Sequence, residues 1–311
     1  MLQFFRSLFA KASPAATDLS YGLLTQLEIE PLLTGNQWEK LEATATALAT
    51  DDLSRLLDGW CLSHRYAPAI QRYLAAGSSE LRQLVAGVHA TFLAWEARGG
   101  LIATETTQGQ ADGFFHYLNQ AYDHLNQPFE NPAFQAEAAA RLVRVGMGLG
   151  ERELATDAFA VCAELAPTHL TGHYNYMRLV SPWWHEGLED LTSYVDSIAD
   201  PALRRLFQLL ALHEIHSFLG HEHNSVATAT KLLKQDYRAR IDQVLAGPGR
   251  AEGNSLAAIY YNNYLAGLHH ILGNTAARNQ LIQTLGAHFT PYPWQYFGLN
   301  NAAAVQSLLK S

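Results

Sequence analysis

The densest group of side chains able to bind a metal is His213, Glu214 and His216, followed after a short gap by His221 and His223. Two histidines three positions apart share a helix face and could act as two ligands of a zinc ion. The zinc-peptidase spacing HExxH is absent, because HExH turns the second histidine by about 100°. An apolar stripe on the same predicted helix also explains the histidines as interfacial residues: Leu212, Ile215 and Leu219. The sequence therefore predicts no metal and no other cofactor.

A second candidate is the string Trp95-Glu96-Ala97-Arg98-Gly99. Trp95 and Arg98 lie about one helical turn apart, so the guanidinium can lie over the indole, whereas Glu96 points to another face. One interpretation is a polar anchor for a peptide carboxylate or another polar ligand. The other is a helix C-terminus, with Arg98 near the last carbonyls and Gly99 as the residue after the cap. Both interpretations stay open.

Aromatic and amide side chains supply the remaining candidate ligand-binding residues. Trp183 and Trp184 lie between two predicted helices, where one indole fills the core and the other can line a surface. Asn262 and Asn263 follow two tyrosines on a predicted helix, and an amide that both donates and accepts hydrogen bonds suits an extended peptide backbone. Simple packing together with a helix cap is the favoured explanation of these two asparagines. We expect His173 to lie near Trp95, Arg98 and the two indoles.

Catalytic motifs are missing from the chain. It contains no Gly-x-Ser-x-Gly elbow, no phosphate-binding glycine loop followed by Lys, and no cysteine in a context that activates a thiol. The sequence therefore names no catalytic residue and favours a non-catalytic role. The rival hypothesis is an enzyme or small-molecule binder with a polar pocket formed by Trp95, Arg98, His173 and Trp183.

Helical repeats are the elements that must position these residues. Leu149-Gly150 ends one predicted helix, Pro167 ends the next, and small or aromatic residues follow one face of the second helix: Ala155, Phe159 and Cys162. This pattern is typical of tetratricopeptide-type helix pairs. Weaker units follow Gly220 and Gly273 at irregular spacing. Predicted loops cover 99–112 and 247–254, and Asn36 with Glu39 predicts a capping box.

These signals predict an all-α protein, a right-handed α-solenoid of degenerate tetratricopeptide-like helix pairs. Hydrophobic residues make up 48% of the 311 residues and charged residues only 16%, as expected when most helix faces contact another helix. We predict a divergent helical region over 1–78 and the repeat region over 79–311.

Charge and cysteine content restrict the partners and the compartment. The formal charge is −8 and there is no basic block, so nucleic acid is not an expected partner. Cys61 and Cys162 are too few for a disulfide framework and fit buried thiols in a reducing compartment. No apolar stretch approaches the roughly 20 residues of a membrane span. These features predict a cytoplasmic protein.

A family resemblance rests on four features: the Trp-Glu-Ala-Arg-Gly string at 95–99, the repeat at 149–167, His173, and the Pro-Trp-Trp sequence at 182–184. Together they resemble a bacterial family of uncharacterised proteins with tetratricopeptide-like helical repeats, over roughly residues 85–300. Members of that family carry a Lys before the second Trp and a glycine pair after it, and the stretch 181–187 has neither. The family has no agreed activity, so the resemblance implies a fold alone.

The sequence as a whole predicts a non-catalytic module that binds a protein or a peptide in a groove of helical repeats. The partner could also be a second copy of the same chain. The candidate contact residues are Trp95, Glu96, Arg98, His173, Trp183, Trp184, Asn262 and Asn263.

Overall fold

The computed structural model describes residues 18–99, 106–184, 187–286 and 288–310, and this part of the chain contains helices and turns but no strand. The chain therefore has the predicted all-α fold. It divides into two compact units, a first unit at Asp18–Leu179 and a second unit at Val180–Ser311. The sequence-predicted boundary near residue 78 lies inside the first unit. None of the described helices combines the length and the apolar character needed to cross a bilayer.

Within its described residues, the first unit is a series of ten α-helices, with a short 3-10 helix at His64–Tyr66. Their bounds are α1 Leu23–Gln26, α2 Ile29–Thr34, α3 Trp38–Thr46, α4 Thr50–Cys61, α5 Ala67–Ala75, α6 Glu80–Arg98, α7 Gln108–Leu125, α8 Pro132–Leu149, α9 Arg152–Leu165 and α10 Leu170–Leu179. Helix α8 packs against α4, α6, α7, α9 and α10 and is therefore the central helix of this unit.

The second unit contains seven α-helices within its described residues, with 3-10 helices at Pro182–Trp184, Trp294–Phe297 and Leu308–Lys310. Their bounds are α11 Leu188–Ser197, α12 Pro201–Glu222, α13 Val226–Asp236, α14 Arg238–Leu245, α15 Leu256–Leu272, α16 Thr275–Leu285 and α17 Ala302–Ser307. Helix α12 contacts α11, α13, α14 and α15, and it is buried almost continuously from Leu206 to Ser217.

Small residues let α8, α9 and α10 approach closely, as the sequence pattern around Gly150 predicts. A Cβ at Gly146 would lie 2.9 Å from the backbone nitrogen of Ala155, so only glycine fits where α8 meets α9. A Cβ at Gly172 would lie 2.5 Å from Sγ of the buried Cys162. Gly150 ends α8 in the left-handed conformation at φ 76°. Gly273 ends α15 in the same way at φ 80°.

Replacing Gly172 by Ala should lower the free energy of unfolding of the first unit by about 1 to 3 kcal/mol, because the added methyl group overlaps the Cys162 sulfur. The matched control is Gly109→Ala, where a Cβ meets no atom within 4 Å and alanine favours the helix. Urea unfolding of both variants checks this. Equal stability of the two variants would show that α9 and α10 separate without cost.

Helix ends account for the differences between prediction and structure. The capping box predicted at Asn36 is absent: α3 begins after Gln37 without a side-chain cap, and Asn36 has a positive φ of 52° and accepts a hydrogen bond from Arg72. The loop predicted over 99–112 is shorter, because Thr107 and Gln110 form a capping box and α7 begins at Gln108. Gly220 lies inside α12, which continues to Glu222.

Candidate functional site

Two arginines and two aromatic rings meet at the C-terminal end of α6. The Trp95 ring packs on Phe114 of α7, with ring centroids 5.1 Å apart. The Arg98 guanidinium carbon lies 5.7 Å from the Trp95 ring centroid and 5.9 Å from that of Phe114. The guanidinium carbon of Arg144, on α8, lies 3.9 Å from the Trp95 centroid. We call these four residues the Trp95 cluster. The predicted contact between Trp95 and Arg98 is present.

In the part of the chain that the structure describes, the Arg98 charge lies beside aromatic rings and not beside a carboxylate. Its side chain is half-buried, and no acidic group forms an ion pair with it among the described residues. Burial lowers the pKa of Arg98 because it removes water from the charged form. The main chain of Arg98 ends helix α6, as its sequence position predicts. Its carbonyl accepts a hydrogen bond from Gln110, and Gly99 follows with a positive φ of 67°. The side chain is left for another contact.

Glu96 and His173 lie apart from the Trp95 cluster in their observed contacts. The exposed Glu96 carboxylate forms an ion pair with His64, at 2.5 Å between Oε1 and Nε2. His173, on α10, packs edge-on against Phe159, and its Nε2 lies 2.9 Å from the carbonyl oxygen of Pro167. Burial lowers the pKa of His173. These contacts of His173 therefore include neither Trp95 nor Arg98, with which the sequence analysis grouped it.

Trp183 and Trp184 belong to the second unit, in the 3-10 helix before α11. The Trp183 ring packs edge-on against Phe218 at 5.7 Å and lies 5.4 Å from the ring of His221. The backbone nitrogen of Trp184 donates to the Ser181 carbonyl. Both tryptophans are half-buried.

Asn262 and Asn263 both bind backbone, and in both cases the backbone is that of the same chain. Asn262 Oδ1 accepts from the Ala251 nitrogen at 2.8 Å, and its Nδ2 donates to the Ala251 carbonyl at 2.9 Å. An asparagine side chain on α15 thus pairs with both polar groups of one residue. This is the contact that the sequence suggested for a bound peptide.

The amide of the fully buried Asn263 is completely used inside the second unit. Its Nδ2 donates to the carbonyls of Ile259, at 2.8 Å, and His288, at 2.7 Å. Its Oδ1 accepts from the Thr290 nitrogen at 3.2 Å and from Trp294 Nε1 at 2.8 Å. Asn263 therefore holds the segment after α16 against α15.

The histidines of α12 face neighbouring helices. Nε2 of His213 donates to the Tyr264 carbonyl at 2.8 Å, and Nε2 of His216 lies 3.0 Å from Oγ1 of Thr230. Burial lowers the pKa of His213 to about 3 and that of His216 to about 4. Glu214 accepts from the Tyr296 hydroxyl at 2.8 Å. Within the described residues, no three His, Cys, Asp or Glu side chains are arranged to hold a metal ion.

A buried ionic network in the first unit was not anticipated from the sequence. Glu137 of α8 accepts from Ser54 of α4 at 2.5 Å and from Arg141 Nε at 2.7 Å. Nε2 of His169 lies 2.9 Å from Glu137, and Arg141 forms an ion pair with Asp58 at 2.7 Å. The signal in the sequence is an acidic and a basic residue at i and i+4 on a helix that is otherwise apolar and buried.

Burial and counter-charges act in opposite directions on this network. Burial by itself raises the pKa of Glu137, but Arg141, His169 and Ser54 outweigh it and lower the pKa to about 2. Burial raises the pKa of Asp58. Glu137 and Ser54 are 0% exposed and His169 is 1% exposed, so no solute reaches these groups. The network can connect α4, α8 and α10, but it cannot process a substrate.

Searches against protein-family models, curated proteins and solved structures found no match to this chain. Its function must therefore be argued from its own residues, and we take the Trp95 cluster as the candidate site, because its Arg98 side chain has no ion-pair partner within the described ranges.

Proposed function

We propose that the chain is a non-catalytic helical-repeat module that binds a protein or peptide partner through an acidic group of that partner. The observation that carries this proposal is the half-buried Arg98, which lies over two aromatic rings and has no acidic partner among the described residues. A cation that has lost part of its hydration gains most from an incoming carboxylate, through charge-assisted hydrogen bonds. Trp95 and Phe114 supply flat apolar contact beside that charge.

The distribution of charge supports an acidic ligand at this position. The chain carries a net charge of −8, yet Arg98 and Arg144 both lie within 6 Å of the Trp95 ring centroid. A half-buried cation on an anionic protein attracts an acidic segment to one place, while the net negative charge repels that segment from most others.

The two cysteines and the buried ionic network lie in inaccessible positions, which supports a binding role. Cys61 and Cys162 are buried, and burial raises the pKa of both thiols, to about 12 in Cys162. Their sulfurs therefore stay protonated and unreactive at neutral pH. The Ser54, Glu137 and His169 group is closed to solvent. We further propose that the helices form a tetratricopeptide-like solenoid, which the close packing of α8, α9 and α10 supports. We also propose a cytoplasmic location, which the free thiols support.

Peptides selected from a random displayed library on the purified protein should be rich in Asp or Glu. Arg98→Gln should weaken their binding by about 10-fold or more, because it removes the charged partner of the carboxylate. The matched control is Arg65→Gln, an exposed arginine of the same unit that is already paired with Glu30 at 2.6 Å. Fluorescence anisotropy of labelled peptides measures the affinities.

Thermal melts of the same variants separate a binding role from a structural one. Arg98→Gln should leave the melting temperature near that of the wild type, whereas Trp95→Ala should cost about 2 kcal/mol, because the half-buried indole packs on Phe114. A loss of stability in Arg98→Gln as large as that in Trp95→Ala would make Arg98 structural. Selected peptides without acidic residues, or with equal affinity for Arg98→Gln, would refute the proposal.

A further inference from the structure

A short segment of the second unit lies over α15 in an arrangement that resembles a bound peptide. This segment, residues 247–254, is called the covering segment. Both polar groups of its Ala251 pair with the Asn262 side chain, at 2.8 and 2.9 Å. The Tyr261 hydroxyl donates to its Pro248 carbonyl at 2.7 Å. All three hydrogen bonds involve the main chain of the covering segment, so they are largely independent of its side chains.

The charged side chains of the covering segment do not attach it to the helices. Arg250 and Glu252 are exposed and pair with each other, with Nη2 of the arginine 2.7 and 2.9 Å from the two carboxylate oxygens. A cavity of about 180 Å³ separates part of the segment from the helices. The helical side of this cavity is lined by Ile259, Asn262, Thr284, Leu285 and His288. The hydrogen bonds to Asn262 and Tyr261 therefore hold the main chain at Ala251 and Pro248, beside incompletely filled space.

We infer that Asn262 and the adjoining cavity form a binding site for an extended peptide, and that the covering segment is its displaceable internal occupant. The occupant that fits carries a small residue, as Ala251 is, where its backbone pairs with Asn262. The next side chains of a longer peptide can enter the cavity beside Thr284 and Leu285. Main-chain pairing supplies the affinity and the cavity supplies the specificity, which is a common division in peptide recognition.

The covalent link gives the covering segment an advantage over any free peptide. A tethered ligand acts at an effective concentration in the millimolar range, so weak external peptides do not displace it. Only a peptide that keeps the two Asn262 hydrogen bonds and also fills the cavity competes. The segment thus sets the minimum affinity that a free peptide needs in order to bind.

Limited trypsin digestion tests whether the covering segment opens. Trypsin cleaves after Arg250, which is the bond next to the residue that Asn262 holds. In Asn262→Ala, cleavage at this bond should be about 10-fold faster than in the wild type, since two hydrogen bonds no longer oppose opening. Tyr261→Phe, which loses one hydrogen bond, should give a smaller increase. Gln243→Ala, an exposed change on the preceding helix, is the control and should leave the rate unchanged.

A peptide added in trans tests whether the position is a binding site. The probe is the acetylated and amidated octapeptide Gly-Pro-Gly-Arg-Ala-Glu-Gly-Asn. The protein is the full chain with Ala251 replaced by Pro, called the replaced chain, because proline lacks the N–H that donates to Asn262 and so weakens the internal pairing. Saturable shifts of the Asn262 side-chain amide resonances at millimolar peptide are expected, with several-fold weaker response in the wild type. Should the replaced chain fail to fold, wild-type protein cut at Arg250 takes its place.

Unchanged cleavage in Asn262→Ala, or absence of shifts at tens of millimolar peptide, would overturn this inference. Equal binding of the probe to the replaced chain with and without Asn262→Ala would overturn it as well. The inference does not rest on Arg98, and Arg98→Gln should leave both measurements unchanged. The failure of either proposal is therefore distinguishable from failure of the other.

Discussion

Replacing Glu137 by Ala should lower the free energy of unfolding of the first unit by about 3 to 5 kcal/mol, because it leaves the buried Arg141 without one of its carboxylates. Ser54 and His169 lose their partner in the same substitution. Glu137→Gln should cost less, since the amide oxygen can still accept from Arg141 while the amide nitrogen can donate to the Ser54 hydroxyl. Urea unfolding, with hydrogen exchange of the α8 amides to assign the transition to this unit, measures the loss.

The control for this prediction is Glu164→Ala, which removes an exposed carboxylate near the end of α9 and should change stability little. Acid titration adds a second check. The pKa of Glu137 is about 2 in the folded chain and ordinarily 4.5, so its stabilising effect is complete above pH 4.5 and is lost as the pH falls toward 2. The raised pKa of Asp58 has the opposite effect on the unfolding free energy, because the folded chain holds this proton more tightly than the unfolded chain does. The difference between wild type and Glu137→Ala should therefore shrink in acid; a constant difference would contradict the assignment.

The second unit should lose stability as the pH falls from about 6.5 to 4, because the unfolded chain binds protons that the buried His213 and His216 do not. Their pKa values of about 3 and about 4 lie well below the ordinary value of 6.5. Each histidine should contribute about 1.4 kcal/mol per pH unit, so the two together should remove about 4 kcal/mol at pH 5. Repulsion from His270 also lowers the pKa of both histidines, and burial and Arg278 lower the pKa of His270 itself.

Urea unfolding at several pH values, with hydrogen exchange of α12 and α15 to follow this unit, checks the slope. His213→Gln and His216→Gln should each reduce the slope of unfolding free energy against pH by about 1.4 kcal/mol per pH unit, which corresponds to one proton. His223→Gln, at an exposed position, is the control and should leave the slope unchanged. A wild-type slope near zero between pH 6.5 and 4 would mean that these histidines are solvated.

Much of the fold was predictable because it depends on local patterns. The helix end predicted at Gly150 is confirmed, since glycine readily adopts the left-handed conformation. The capping box at Asn36 was wrong because Arg72 occupies the asparagine oxygen. Such a competing partner comes from another helix and leaves no trace in the local sequence.

The candidate site was predictable only where its residues share a helix. Trp95 and Arg98 are one turn apart on α6, and their contact follows from that spacing. Arg144 reaches the same ring from α8, which required the helix packing to be known. The hydrogen bonds of Asn263 within the second unit also required the packing to be known, because the groups that it binds lie up to 31 positions away. The ligand-binding roles of these residues remain predictions.

The C-terminal aromatic segment gives the second unit an unusual order of assembly. Helix pairs such as α15 and α16 join neighbours in sequence, and such contacts form quickly. The Tyr296 hydroxyl instead reaches Glu214 across 82 positions, and Trp294 reaches Asn263 across 31. Because closing a longer loop loses more chain entropy, we expect these contacts to form after the helix pairs. The Asn263 amide of α15 and the Glu214 carboxylate of α12 should then stay open to water until the 3-10 helix Trp294–Phe297 docks.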